Sequence, residues 1–171
     1  MQGVTVHKDC IGIFRSGFFW VLDLNCNGSF DGTPTDAAFP FGGLAGDVPV
    51  VGKWVGGTTR VGVVRKYAPM GIPQGNPFYW VVDIADADAG TSAQIHQPDV
   101  PNSFAFGGLA GDVFITGDWN NSGTSKGGVF RSGVAGAQPF EWVLDANGRH
   151  TPDIVFNLYG AAGDQAIVGK W

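Results

Sequence analysis

Charge is scarce in this 171-residue chain: only 15% of residues are charged, with 10 Lys and Arg against 15 Asp and Glu. The net charge of −5 leaves no concentrated basic surface of the kind that phosphate backbones require, which argues against a nucleic-acid partner. Apolar runs are short, and none reaches the roughly 18 residues that a membrane-crossing helix needs. No segment sustains a helical period over about ten residues either, so helices are not expected. Cysteine is nearly absent. Cys10 and Cys26 make no metal-ligand spacing, and the sequence leaves open whether they pair or stay free. The three histidines, His7, His96 and His150, fall in unrelated contexts and read as surface or turn residues. Residues 1–20 lack the charged-then-apolar design of a signal peptide, so an export signal is expected to have been removed or to lie outside this chain.

What is abundant is glycine (28 residues) beside a 44% hydrophobic content, with 10 prolines. That mixture suits short strands and tight turns and is too apolar for a disordered linker. The six tryptophans fall into two columns of a pattern that occurs three times. Trp20, Trp80 and Trp142 lie in FFWVLD, FYWVVD and FEWVLD; Trp54, Trp119 and Trp171 end VVGKW, ITGDW and IVGKW. Between the columns recurs FGGLAGDV, at Phe41–Val48 and Phe106–Val113, with a worn copy at Leu158–Gln165. Each copy also carries a short apolar run ending at Arg15, Arg65 or Arg131. Self-similarity at this period predicts a repeat architecture that buries apolar faces between neighbouring copies. Four short strands per copy, rich in Val, Ile, Phe and Trp and punctuated by glycine, predict an all-β fold. Ser16-Gly17 is a two-residue hairpin connector, whereas 66–77 and 132–139 are lengthened equivalents expected on one face.

The run GDWNNSGTSKGGVFRSG, with FEWVLDANG and YGAAGDQAIVGKW after it, resembles the FG-GAP/VCBS-like repeats of bacterial and archaeal surface proteins. The resemblance covers essentially the whole chain and implies β-propeller blades on an exported surface protein. It also implies a calcium loop of the form D-x-D/N-x-D-G-x-x-x-D. In the middle copy that loop reads Asp118, Asn120, Ser122 and Gly123, but Lys126 stands where a carboxylate would be expected. Lys53 and Arg60 in one copy, and Lys170 in another, make comparable basic replacements. A fixed ammonium can bond the oxygens a cation would hold, so these loops are expected to do without metal. The other metal candidate is Asp23, Asn25, Asn27 and Asp31 around the Gly28 turn, spaced as in a calcium loop. Asx turns explain the same residues without an ion, and are preferred because the set holds few carboxylates. The expectation is therefore no cofactor, with calcium the one ion the loop could take.

The fold expected is a single repeat domain over 1–171, with repeats at about 11–54, 61–119 and 127–171 plus 1–10. Each chain would form three four-stranded propeller-type blades, the N-terminal strand completing the last repeat. Propellers have about four to eight blades, so a homodimer closing six is expected. A pseudo-threefold closed β fold of trefoil type is the alternative. No nucleophile elbow or catalytic signature is present, and aspartates that recur in every copy read as turn caps, so an enzyme is not expected. The expected function is a non-catalytic, extracellular binding or adhesion module with glycans as ligand. A purely structural assembly repeat is second and a glycoside-active enzyme third. Trp20, Trp80 and Trp142 are assigned to the core between repeats; Trp54, Trp119, Trp171, Tyr67 and Phe78 are the candidate ligand-binding aromatics.

Overall fold

The computed structural model describes residues 9–55, 57, 59–66, 78–84, 103–109, 111–131, 140–158 and 163–170. The chain is all-β, with no helix among the described residues, and forms three antiparallel sheets. The first contains β1 (Gly12–Arg15), β2 (Phe19–Leu22) and β3 (Ala37–Pro40). The second contains β4 (Val48–Gly52), β5 (Arg60–Arg65), β6 (Tyr79–Val82) and β7 (Ser103–Ala105). The third contains β8 (Val113–Gly117), β9 (Lys126–Arg131), β10 (Phe140–Leu144) and β11 (Ile154–Leu158). Each sheet is a meander whose neighbours in sequence are neighbours in space.

The sheets are cut differently from the sequence repeats. The strand of the GDV phrase, β4 or β8, pairs with the Arg strand that follows it, β5 or β9. The first sheet begins instead at its Arg strand: among the described residues β1 pairs with β2 alone. Residues 164–170, which carry the third copy of the GDV strand sequence, are irregular. The loops 66–77 and 132–139 fall, apart from Lys66, outside the described residues.

Turn chemistry fixes the meanders. Ser16 and Gly17 both have positive φ, 55° and 76°, and Phe18 N–H donates to Arg15 O at 3.2 Å. That is the type I′ geometry whose twist matches antiparallel strands. The FG phrase closes a second kind of turn. Asp47 Oδ2 accepts from Gly43 and Leu44 N–H, and Asp112 Oδ2 accepts from Gly108 and Leu109 N–H. Each aspartate then receives a guanidinium from the end of the Arg strand, Arg65 Nη2 at 2.8 Å and Arg131 Nη2 at 3.1 Å. A Cβ on Gly42 would sit 2.9 Å from the Asp47 carboxylate, at a φ of +100°, so glycine there leaves room for the clamp.

The core lies between sheets. Trp20 and Phe41 of the first sheet pack on Val61, Val63 and Val81 of the second. Val50, Val64, Trp80 and Phe106 of the second pack on Val129 and Val143 of the third. Trp20 and Trp80 are buried, as the repeat predicted for this column, and their indole N–H groups donate to Phe41 O and Phe106 O. Each removes about 150–250 Å² from water, roughly 4–6 kcal/mol of transfer free energy. Trp142, on the outer side of the third sheet, is only half-buried and stacks on Phe156. The second and third sheets are also stitched at their leading strands. Thr116 Oγ1 donates to Val51 O at 2.7 Å, Lys53 N–H donates to Ser125 Oγ, and Ser125 N–H donates to Lys53 O.

Candidate functional site

The second tryptophan column folds back onto its own sheet. Trp54 Nε1 donates to Val61 O at 3.2 Å, and Trp119 Nε1 donates to Gly127 O at 3.1 Å. Both indoles lie over the glycine two residues before them. A Cβ on Gly52 would approach the Trp54 ring to 2.8 Å, and one on Gly117 would overlap the Trp119 ring. Half of each indole is thereby spent on packing, and both residues remain half-buried.

Trp54 borders an open cleft of about 300 Å³ between the second and third sheets. Its walls bring Trp54 together with Phe104, Ser125, Lys126, Asp145 and His150. The rings of Trp80, Phe104 and His150 form one stack running outward from the core. Centroids are 5.7 Å apart for Trp80 and Phe104 and 4.1 Å for Phe104 and His150, with planes within 10° of parallel. His150 is exposed as a residue, but partial desolvation of its imidazole lowers the pKa below its ordinary value, against the opposing charge of Asp145. A second cleft, of about 420 Å³, opens on the other side of His150 and is bordered by Phe106, Leu109, Arg131 and Pro152.

Lys126 occupies the centre of the middle loop. Its ammonium donates to Ser122 Oγ at 2.6 Å and to Asn120 Oδ1, Thr124 O and Thr124 Oγ1, each at 3.1 Å. Asp118 Oδ1 lies 4.0 Å away, and both side chains are largely buried. The carboxylate of Asp118 also accepts from Ser122 and Gly123 N–H at 2.7 Å. Burial works to raise the Asp118 pKa; the Gly123 and Ser122 amides, the Ser122 hydroxyl and the Lys126 charge outweigh it and hold the pKa low. The ammonium takes the oxygen set that the calcium-loop pattern provides, as the sequence anticipated.

The loop after β2 is a chain of Asx turns. Asp23 accepts from Asn27 and Gly28 N–H, Asn25 Oδ1 accepts from Asn27 N–H, and Asn27 Oδ1 accepts from Ser29 N–H. The amide groups of Asn25 and Asn27 both point their N–H atoms at Asp31 Oδ2. Donors thus converge where a cation would require acceptors, so the residues as arranged do not fit calcium. Among the described residues no three His, Cys, Asp or Glu side chains group as a metal site. The loop after β10 repeats the scheme: Asp145 accepts from Arg149 and His150 N–H, and Asn147 Oδ1 accepts from Arg149 N–H.

Of the five candidate ligand-binding aromatics, Trp54 lines the cleft and Trp119 covers its own sheet. Phe78 packs edge-on against Phe114 at 4.9 Å, beside the inter-sheet core. Tyr67 and Trp171 lie outside the described residues. Phe104 and His150 were missed because they come from different sheets and no local spacing links them. Asp36 was missed as well. It is buried, accepts from Leu24 and Asp31 N–H, and closes the Asx-turn loop from its far side, as Asp153 does through Ala146 N–H. Comparison with protein families, with curated proteins and with solved structures found no match to this chain.

Proposed function

We propose that this protein is a non-catalytic binding module whose ligands are glycans, held in the cleft bordered by Trp54, Phe104 and His150. The observation that supports this most is the composition of that cleft: aromatic surfaces stand beside Lys126, Ser125 and Asp145. Sugar rings present apolar C–H faces and polar rims, and such a wall answers both. In this reading the three sheets are propeller-type blades and the ligand lies between two of them. The recurring aspartates are engaged as turn caps, Asp23, Asp47, Asp112 and Asp145 each accepting backbone N–H. That favours binding over carboxylate catalysis. The disulfide between Cys10 and Cys26 favours an extracellular setting, since such bonds persist in oxidising compartments.

A glycan array probed with the full chain tests the reading. The expected result is retention of at least one glycan class, weakened about tenfold by His150→Ala or Trp54→Ala with the fold intact. Silence across the array, or binding indifferent to both substitutions, would overturn it.

A further inference from the structure

Two clefts lie along one strand. β7 contributes Ser103 and Phe104 to the wall of the first, of about 300 Å³, and Ala105 to the wall of the second, of about 420 Å³. Two residues of strand, about 7 Å, carry the chain from Ser103 to Ala105. That distance is comparable to the advance from one ring to the next in an oligosaccharide. His150 belongs to both walls, its ring stacked over the middle residue, Phe104, at 4.1 Å. A turn cap alone does not require a histidine at this position. Asp145 accepts from His150 N–H as Asp23 accepts from Gly28 N–H, and both residues have positive φ, 60° and 85°. A side chain there carries a backbone cost that glycine avoids. What the histidine adds over glycine is a ring that packs on Phe104 and walls two clefts.

Resting on the glycan reading of the first cleft, we propose that the two clefts are adjoining subsites for one neutral oligosaccharide, with consecutive sugar residues on either side of His150. The volumes argue for length. Small-ligand sites span roughly 300–1,000 Å³, so the first cleft alone is at the small end and its neighbour adds room for a further ring. The second wall also has the chemistry of a sugar site. Phe106, Leu109 and Pro152 present apolar surface to ring C–H faces, and Arg131 stands beside them for hydroxyls.

The charges argue for neutrality. Arg131 is matched by two carboxylates: Nε lies 2.9 Å from Asp112 Oδ1, and Nη1 donates to Glu141 Oε2 at 3.3 Å. The second of these is particular to the third sheet, since Glu141 opposes Arg131 where Tyr79 opposes Arg65. In the first cleft the Lys126 ammonium is held by Ser122, Asn120 and Thr124, with Asp118 at 4.0 Å. The cations at both walls are therefore already committed to oxygens of the protein. A uronic acid or a sulfated sugar would meet carboxylates there with no cation to offset them, whereas hydroxyls can share the remaining N–H groups.

Calorimetric titration of the full chain with the mono-, di- and trisaccharides of each class retained on the glycan array is the test, weak monosaccharides being read by competition. Affinity should rise about tenfold or more from mono- to disaccharide, and neutral series should bind more tightly than their uronic-acid counterparts. Leu109→Ser combined with Pro152→Ala, both at exposed positions of the second cleft, should weaken the disaccharide about tenfold. The same variant should hold the monosaccharide as wild type does, which also shows that it is folded. Trp54→Ala, in the first cleft, should weaken both sugars. Equal affinity for mono- and disaccharide overturns the second subsite, as does a double variant that binds the disaccharide like wild type. Tighter binding of the acidic series overturns the neutral ligand. Each of these differs from silence across the array, which removes the glycan reading of the first cleft and the second subsite with it.

Discussion

Arg65 and Asp47 form a buried ion pair, Nη2 to Oδ2 at 2.8 Å, with side chains 8% and 0% exposed. The same carboxylate oxygen caps the Gly43 and Leu44 amides, so one aspartate ties the FG turn, the leading strand and the Arg strand together. Removing one partner leaves the other charge buried. Asp47→Ala should cost about 3–5 kcal/mol of unfolding free energy, read from denaturant midpoints. Arg65→Met together with Asp47→Ala should cost less than the two singles summed, because neither charge is then stranded.

Lys126 supplies the positive charge of its loop covalently. Replacing it by aspartate would recreate the carboxylate that the calcium-loop pattern lacks, beside Asp118, Asn120 and Ser122. The Lys126→Asp variant should melt lower than wild type without calcium and recover with it, since a ligand that binds only the folded state stabilises it. Wild type should melt at one temperature in calcium and in chelator. A chelator-induced fall in wild type, abolished by Asp23→Ala, would show instead that the loop after β2 takes the ion.

Two groups set the acid response. Burial lowers the His150 pKa from 6.5, with Asp145 opposing, so the unfolded chain binds that proton more readily. Stability is therefore full above 6.5 and declines as pH falls from there through the folded value. For Asp36, the Asp31 amide is the main force holding the pKa below 3.8; burial opposes it, and the Leu24 and Asn25 amides add to it. Its contribution is present above 3.8 and lost as pH falls through the depressed value. Melting temperatures against pH should fall in these two regions. His150→Gln should remove the first fall and Asp36→Asn the second.

The tryptophan columns should separate by cost. Trp80→Ala removes a fully buried indole and its bond to Phe106 O and should cost about 3–5 kcal/mol. Trp142→Ala, at the half-buried outer face, should cost the isolated chain clearly less. Thermal unfolding of both variants under one set of conditions is the check.

The repeat made much of this legible. It fixed the all-β class, the burial of Trp20 and Trp80, the turn at Ser16-Gly17 and the bonding of the Lys126 ammonium to the oxygens of its loop. Each depends on residues within a single copy or on the same position across copies. What stayed hidden depends on residues brought together from different sheets. The Phe104 and His150 stack joins β7 to the loop after β10; Phe104 matches Phe39 of the first sheet, each opposite its column tryptophan, but His150 stands where the first copy has Gly28. Asp36 and Asp153 do the same work at unequal distances, 13 residues after Asp23 and 8 after Asp145, so no fixed spacing reveals them. The cut between sheets was hidden too, since a repeating string looks the same from any starting strand.

The glycine beneath each folded-back indole links two positions that a substitution survey would treat as separate. Any side chain at Gly117 would displace the Trp119 ring, and the same holds for Gly52 and Trp54. At Gly117 the three nearest neighbours of an added Cβ all belong to the indole, whereas at Gly52 the Ser125 Cβ, 2.9 Å away, would remain in the way after the indole was lost. A side chain can therefore enter at Gly117 only with a change at Trp119, and at Gly52 only with changes at both Trp54 and Ser125.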